Sequence, residues 1–356
     1  MKNKSDIKIT NNKFIGKRDV GADLLRIMLI IMIISHHALV HGLNMSQLSK
    51  EACFISPPLG QFVFNSFVVI GVNAFFWISG YFEVHRDIKK IFRLYGLCII
   101  YALVWNIFYV IFKWGDISGK VVFDILFPIR DYWFMAVYIV IILISPYINN
   151  EMNCHHIREQ FILVLVVTTI NVIYGFVFNF VGVGDGYTVI QGINMYMIGR
   201  FCHNNISVIK KYLKSWLFLL GYIICSFFIG ISTFLLAYKG FSTKAWHLFA
   251  YNNPIIIVSS ICFCFCFVGK KYKNENFVTN MITIFGSGCL AAYLITDNKI
   301  AKEIIFEPLK IAIASTGNNS LLNVLLIMFY AIFLTFVCIF IDILRKKLKY
   351  KIKRYI

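Results

Sequence analysis

The chain has 356 residues, of which 59% are hydrophobic and 15% charged, and it carries a formal net charge of +18. Its apolar residues gather in blocks of roughly 17 to 25, the length a helix needs to cross a bilayer core. That excludes a pair of soluble domains and describes an all-α polytopic integral membrane protein.

Residues 1–21 form a polar cytoplasmic segment, too long before the first apolar block to be a cleavable signal peptide. About ten transmembrane helices follow, at 22–42, 62–83, 91–112, 132–149, 160–181, 187–203, 215–238, 253–269, 280–296 and 319–344. They read as one transmembrane domain over 22–344, and the basic tail over 345–356 suits anionic lipid headgroups. The block at 187–203 carries Gln191, Asn194 and two glycines, which predicts a broken or cavity-lining helix. In 253–269 the run "CFCFCF" sets its cysteines about 200° apart around a helix, so they are packing residues and no metal site is expected. The longest loops, 43–61, 113–131 and 297–318, can fold over a cavity mouth; others, such as "HRDIKKIFR" and "GKKYKNEN", are short and basic.

Sorting Lys and Arg over these spans puts about 25 in the terminal segments and the loops after even-numbered spans, against about 9 in the alternate loops. The basic excess is therefore an orientation signal, with both termini cytoplasmic in a multi-pass plasma-membrane protein, and not the footprint of a nucleic acid.

The first span contains "RIMLIIMIISHH". On a helix, Arg26 and His37 stand roughly 16 Å apart along the axis and within about 20° of one face. His41 rejoins that face, His36 falls about 100° away, and Asp23 is one turn before Arg26, where it can neutralise the guanidinium. Snorkelling to the headgroups would account for Arg26 alone. Three histidines within six residues, aligned with an arginine, point to an enclosed polar cavity. Elsewhere, Asn73 lies mid-membrane, where an amide must find partners. Ser79, Gly80 and Tyr81 close the second span as a helix end or a polar lining. Trp133 opens the fourth span as an interfacial anchor or a sugar-stacking surface.

"DLLRIMLIIMIISHHALV" resembles the first helix of the membrane-bound acyltransferase family 3, in which an Arg is followed after ten residues by a His; Arg26 and His37 fit and His36 is one short. "GVNAFFWISGYF", "KKIFRLYG", "YWFMAVYIVIILISPYI", "MYMIGRF", "YNNPIIIVSSICF" and "FGSGCLAAYLITDN" resemble later landmarks in the same order, so the resemblance covers essentially the whole chain. One departure stands out. Many relatives have a histidine directly after the Tyr-Leu-Ile of the ninth helix, where this chain has Thr296 followed by Asp297 and Asn298.

The resemblance implies an O-acetyltransferase that moves an acyl group from acetyl-CoA, supplied from the cytoplasm, to a hydroxyl of an exopolysaccharide or its lipid-linked precursor. Imidazole, with an unperturbed pKa near 6.5, suits removal of that hydroxyl proton, so His37 is the candidate base, and a covalent acyl-imidazole stays open. Arg26 and Arg93, with Lys89, Lys90 and Arg200, are the cations available to the donor's phosphates. The substrate-binding candidates are Arg93, Asn73, Ser79, Tyr81, Trp133 and Asp297. A transporter or flippase for a glycan precursor is the rival reading; few acidic residues at mid-membrane count against ion coupling.

Overall fold

The computed structural model describes residues 19–45, 58–112, 119–268, 276–316 and 319–355, which are helical apart from short connections. Residues 1–18 of the N-terminal segment, 46–57 and 113–118 of two long loops, 269–275 of the "GKKYKNEN" loop, 317–318 and 356 lie outside them.

In chain order the helices are α1 Val20–His37, α2 Leu59–Val68, α3 Gly71–Tyr81, α4 Ile88–Phe112, α5 Gly119–Leu126, α6 Trp133–Cys154, α7 Ile157–Asn171, α8 Val189–Asn204 and α9 Ile206–Tyr212. They continue with α10 Ser215–Tyr238, α11 Ser242–His247, α12 Pro254–Phe265, α13 Phe277–Gly286, α14 Cys289–Thr296, α15 Lys299–Ile305, α16 Glu307–Ser315 and α17 Ser320–Tyr355. Among the described residues, eight helical stretches are long and apolar enough to cross a membrane. The other two expected spans are α8 and α12, with 16 and 12 residues. Neighbouring helices pack around both, α3, α6 and α7 around α8, and α3 and α10 around α12. Their backbone polar groups therefore meet protein, and a full lipid-crossing length is not required of them.

α1 occupies the centre, packed against α2, α3, α13, α14 and α17. Its span is 67% buried and the α2–α3 stretch 72%, against 22% for α4, so the first two form the core and α4 faces outward. Exposed Phe228 and Phe333 on α10 and α17 belong to the outer surface, which suits hydrocarbon and would associate in water.

Several helices are interrupted where function or packing needs it. α1 begins with Asp19 capping the Ala22 amide at 3.0 Å, and past His37 it widens into a π-helical turn, Ala38–Gly42. The expected ninth span breaks between α13 and α14, where Gly286 packs on the Asp23 side chain and Lys346 donates to the Ser287 carbonyl at 3.0 Å. In α6, Pro146 has no amide to give the Ile142 carbonyl, and Ser145 Oγ donates to it instead at 3.0 Å. α6 consequently continues to Cys154, beyond the expected end at 149. α17 carries straight on through the basic tail to Tyr355; buried Asp342 holds Arg345 at 2.6 Å and Lys346 at 2.8 Å.

α3 and α8 cross in backbone contact: a Cβ on Gly80 would meet the Tyr196 carbonyl, and one on Gly199 the Trp77 carbonyl. Gly80 is thus a packing glycine, and the positive φ of 52° that turns the chain belongs to Glu83. Gly80→Val forces the two helices apart and should cost about 1–3 kcal/mol or more, read as a lower melting temperature and lost monodispersity in detergent; an unchanged melt would contradict this packing.

Candidate active site

Arg26 faces a cavity of about 310 Å³ that runs beside α1. Its Nη1 donates to Asp23 Oδ1 at 2.8 Å, and the guanidinium lies 5.9 Å from the Phe82 ring centre. Asp23 is fully buried while the Arg26 side chain keeps 31% exposure, so the carboxylate fixes the cation without removing it from the cavity. Ser79, Lys90 and Ser287 line the same cavity, together with Ile30, Ile33, Val72, Phe75, Phe134 and Leu290, and Tyr293. It is apolar along most of its wall and carries two cations.

His37 is buried at the other end of α1. Its Nε2 lies 3.7 Å from Asp297 Oδ1, and Lys302 Nζ holds that oxygen at 2.8 Å. The ring centre is 6.3 Å from that of Tyr293 and 5.6 Å from that of His41. His36 turns elsewhere, its Nδ1 bonded to Asn65 Oδ1 at 2.7 Å. A second cavity, of about 480 Å³, is lined by His41, Asn44, Asp131, Asp297, Lys299, Lys302, Glu303, Glu307 and Lys310. The expected loop 297–318 forms its roof as α15 and α16, both packed against the π turn after His37.

Tyr293 lines the first cavity and Asp297 the second, one helical turn apart; His37 lines neither cavity and is the neighbour of these two residues. The local fold fixes this junction. Asp297 N–H donates to the Tyr293 carbonyl at 2.8 Å, and Asn298 Oδ1 caps α15 by accepting from the Ile300 amide at 3.0 Å. Asn298 Nδ2 donates to the Tyr132 hydroxyl at 3.1 Å, which donates in turn to the Leu294 carbonyl at 2.9 Å. His37 Nδ1, Tyr293 Oη and Asp297 Oδ2 are buried without a hydrogen-bond partner among the described residues. Each such atom costs roughly 1–3 kcal/mol of desolvation, and three at one junction mark a place where another molecule can engage them.

The remaining sequence candidates divide. Ser79 lines the first cavity, its hydroxyl committed to the Phe75 carbonyl at 2.9 Å. Arg93 does not line it: the side chain is 71% exposed and pairs with Asp87 at 3.2 Å, whereas Lys90, one turn earlier, is in the wall. Arg200 is held by Glu83 at 2.7 Å. Tyr81 stacks on Trp77 with ring centres 4.9 Å apart, and Trp133 stacks on Tyr251 at 5.8 Å; neither lines the two cavities. Asn73 Nδ2 donates to the Tyr251 carbonyl and its Oδ1 accepts from Gln191 Nε2, both at 2.8 Å. Gln191 Oε1 accepts from Asn171 at 2.5 Å, and Asn194 accepts from Thr168 at 2.7 Å. The amides of α8, expected to break the helix or line a cavity, thus join an unbroken helix to α3 and α7. Sequence reasoning passed over Tyr293 and Lys302. The four-residue step from Tyr293 to Asp297 was a readable signal, because it puts both on one helix face; Lys302 reaches Asp297 only through the turn into α15.

Near this network, His247 Nδ1 bonds Asp185 Oδ1 at 2.8 Å and Nε2 bonds the Phe176 carbonyl at 2.9 Å. Two acceptors favour the imidazolium, and the Asp185 carboxylate is the main cause that raises the His247 pKa above its ordinary value.

A family model described as an acyltransferase domain matches residues 19–343. Comparison with curated proteins and with solved structures gives no match.

Gln191→Leu strands the Asn73 and Asn171 groups and should destabilise the protein by about 1–3 kcal/mol, seen as a lower melting temperature in detergent; no shift would mean that the amides do not join the helices. The raised His247 pKa contributes stability that is complete below about pH 6.5 and fades as pH rises through the raised value. Melting temperatures of the wild type and His247→Gln should therefore differ most at acid pH and converge at alkaline pH, and a constant difference would refute the linkage.

Proposed function

The chain belongs to the membrane-bound acyltransferase family 3, whose domain covers residues 19–343, and from that premise we propose that it is an O-acetyltransferase that carries acetyl from acetyl-CoA to a hydroxyl of a cell-surface polysaccharide or its lipid-linked precursor. The observation that carries this reading is that His37 has as neighbours both Asp297, which lines the charged cleft, and Tyr293, which lines the apolar cavity bearing Arg26 and Lys90. The protein sits in the plasma membrane with both termini cytoplasmic, so the Arg26 end meets the cytoplasm.

Acetyl-CoA brings several phosphate charges on a long, thin arm. Arg26 and Lys90 are the cations for the phosphates, and the apolar wall from Ile30 to Leu290 suits the arm that carries the thioester toward Tyr293. The acceptor occupies the cleft at the His41 end, where alternating acids, lysines and an asparagine can hold a polyhydroxylated sugar.

His37 then acts as general base. The Asp297 carboxylate, 3.7 Å from Nε2, favours the tautomer with its proton on that nitrogen, which leaves the unpartnered Nδ1 as the basic nitrogen for the hydroxyl. Lys302 holds the Asp297 carboxylate in place at 2.8 Å. Where relatives carry a histidine, Thr296 commits its hydroxyl to the Ala292 carbonyl at 2.9 Å; the following Asp297 supplies the polar contact to His37.

His37→Ala should remove the acetyl esters from surface glycans while the protein still inserts and folds; esters at wild-type level in that strain would overturn the assignment. Asp297→Asn should lower kcat on the order of 10²–10⁴-fold. Lys90→Gln should raise the KM for acetyl-CoA, whereas Arg93→Gln should leave it unchanged.

A further inference from the structure

Transfer from a thioester builds negative charge on the carbonyl oxygen as the acceptor attacks, and that charge needs a hydrogen-bond donor waiting where it appears. Arg26 is at the far end of α1 from the base, so it cannot reach that oxygen while His37 reaches the attacking hydroxyl. The donor has to come from the end of the first cavity nearest His37.

Most side-chain donors in that cavity are already used. Ser79 donates to the Phe75 carbonyl at 2.9 Å, Ser287 to the Ile284 carbonyl at 2.7 Å, and Cys289 to the Phe285 carbonyl at 3.7 Å. Tyr138 takes a bond from Lys90 at 3.5 Å, at the cationic end. Tyr132, the neighbouring phenol, gives its proton to the Leu294 carbonyl. Tyr293 differs: it lines the cavity, its buried hydroxyl makes no close hydrogen bond and has the Asp297 carboxylate as its polar neighbour, and its ring lies 6.3 Å from that of His37. Contacts with Phe134 at 5.4 Å and Tyr132 at 6.1 Å hold the ring, so its O–H is positioned before substrate arrives.

We propose that Tyr293 is the oxyanion donor of the reaction, a catalytic residue whose hydroxyl bonds the thioester oxygen; the proposal rests on the acyltransferase reading above. The acceptor oxygen forms its bond to the carbonyl carbon as its proton passes to His37 Nδ1. The C=O electron pair moves onto oxygen, where the Tyr293 O–H donates to it and stays protonated. Collapse restores the C=O bond, breaks the C–S bond, and the departing thiolate takes the proton from the His37 imidazolium, which leaves free coenzyme A thiol and the acetyl ester.

The test is steady-state kinetics of purified protein in lipid nanodiscs with acetyl-CoA and, as acceptor, the cells' own surface polysaccharide stripped of esters by mild base. Tyr293→Phe should lower kcat by on the order of 10²–10³-fold with the KM for acetyl-CoA within about twofold, and with an unchanged melting temperature. A phenylalanine variant with wild-type kcat, beside an inactive His37→Ala, overturns the role of Tyr293 and leaves the acyltransferase reading standing. Full activity in His37→Ala overturns that reading itself. Should the phenylalanine variant fail to fold, 3-fluorotyrosine at position 293 keeps the shape and makes the phenol a stronger acid; kcat should then change while KM does not, and an unchanged kcat overturns the proposal.

Discussion

Asp297 is the point on which the site depends: one carboxylate oxygen is shared between the Lys302 ammonium at 2.8 Å and the His37 ring at 3.7 Å. A buried carboxylate without a cation is expensive, and breaking such a pair by removing one partner costs roughly 3–5 kcal/mol. Lys302 therefore permits an acid at the end of α14, and the acid in turn fixes the histidine on α1. Asn298 and Tyr132 lock the turn that carries it, so three elements distant in sequence converge on one imidazole.

The same rule organises the rest of the bundle. Asp23 with Arg26, Glu83 with Arg200, and Asp342 with Arg345 and Lys346 each set a cation against a partner acid. Amides pair as well, since Asn73, Gln191 and Asn171 bond in a chain across three helices. These groups specify how helices dock; in an apolar medium a hydrogen bond is one of the few interactions that tells one helix face from another. His37 Nδ1, Tyr293 Oη and Asp297 Oδ2 are instead three unpartnered buried atoms on neighbouring side chains, two of which line the cavities.

Much of this was legible in the sequence because its causes are local. The eight long apolar helices follow from block length, and the Arg26–His37 alignment from helix periodicity alone. Asp297 was found through a departure from a family pattern. What could not be read depends on contacts between segments far apart in the chain. Nothing local distinguishes Asn73, consumed by α8 and the Tyr251 carbonyl, from an amide facing a cavity, and nothing local separates Lys90 in the cavity wall from Arg93 outside it. The glycines of α8 misled for a related reason: read as breakers, they serve packing, Gly199 by letting the α3 backbone touch and Gly192 by making room for the Val137 and Ile141 side chains of α6.

The central claim is that donor and acceptor reach His37 from opposite ends of α1. Membrane vesicles of known sidedness test it most directly, with radiolabelled acetyl-CoA, which does not cross the bilayer, supplied at one face and de-esterified glycan at the other. Label should appear in the glycan only when acetyl-CoA is on the face that carries Arg26 and Lys90. Transfer that requires acetyl-CoA on the face that carries His41 and Lys302 would contradict the account.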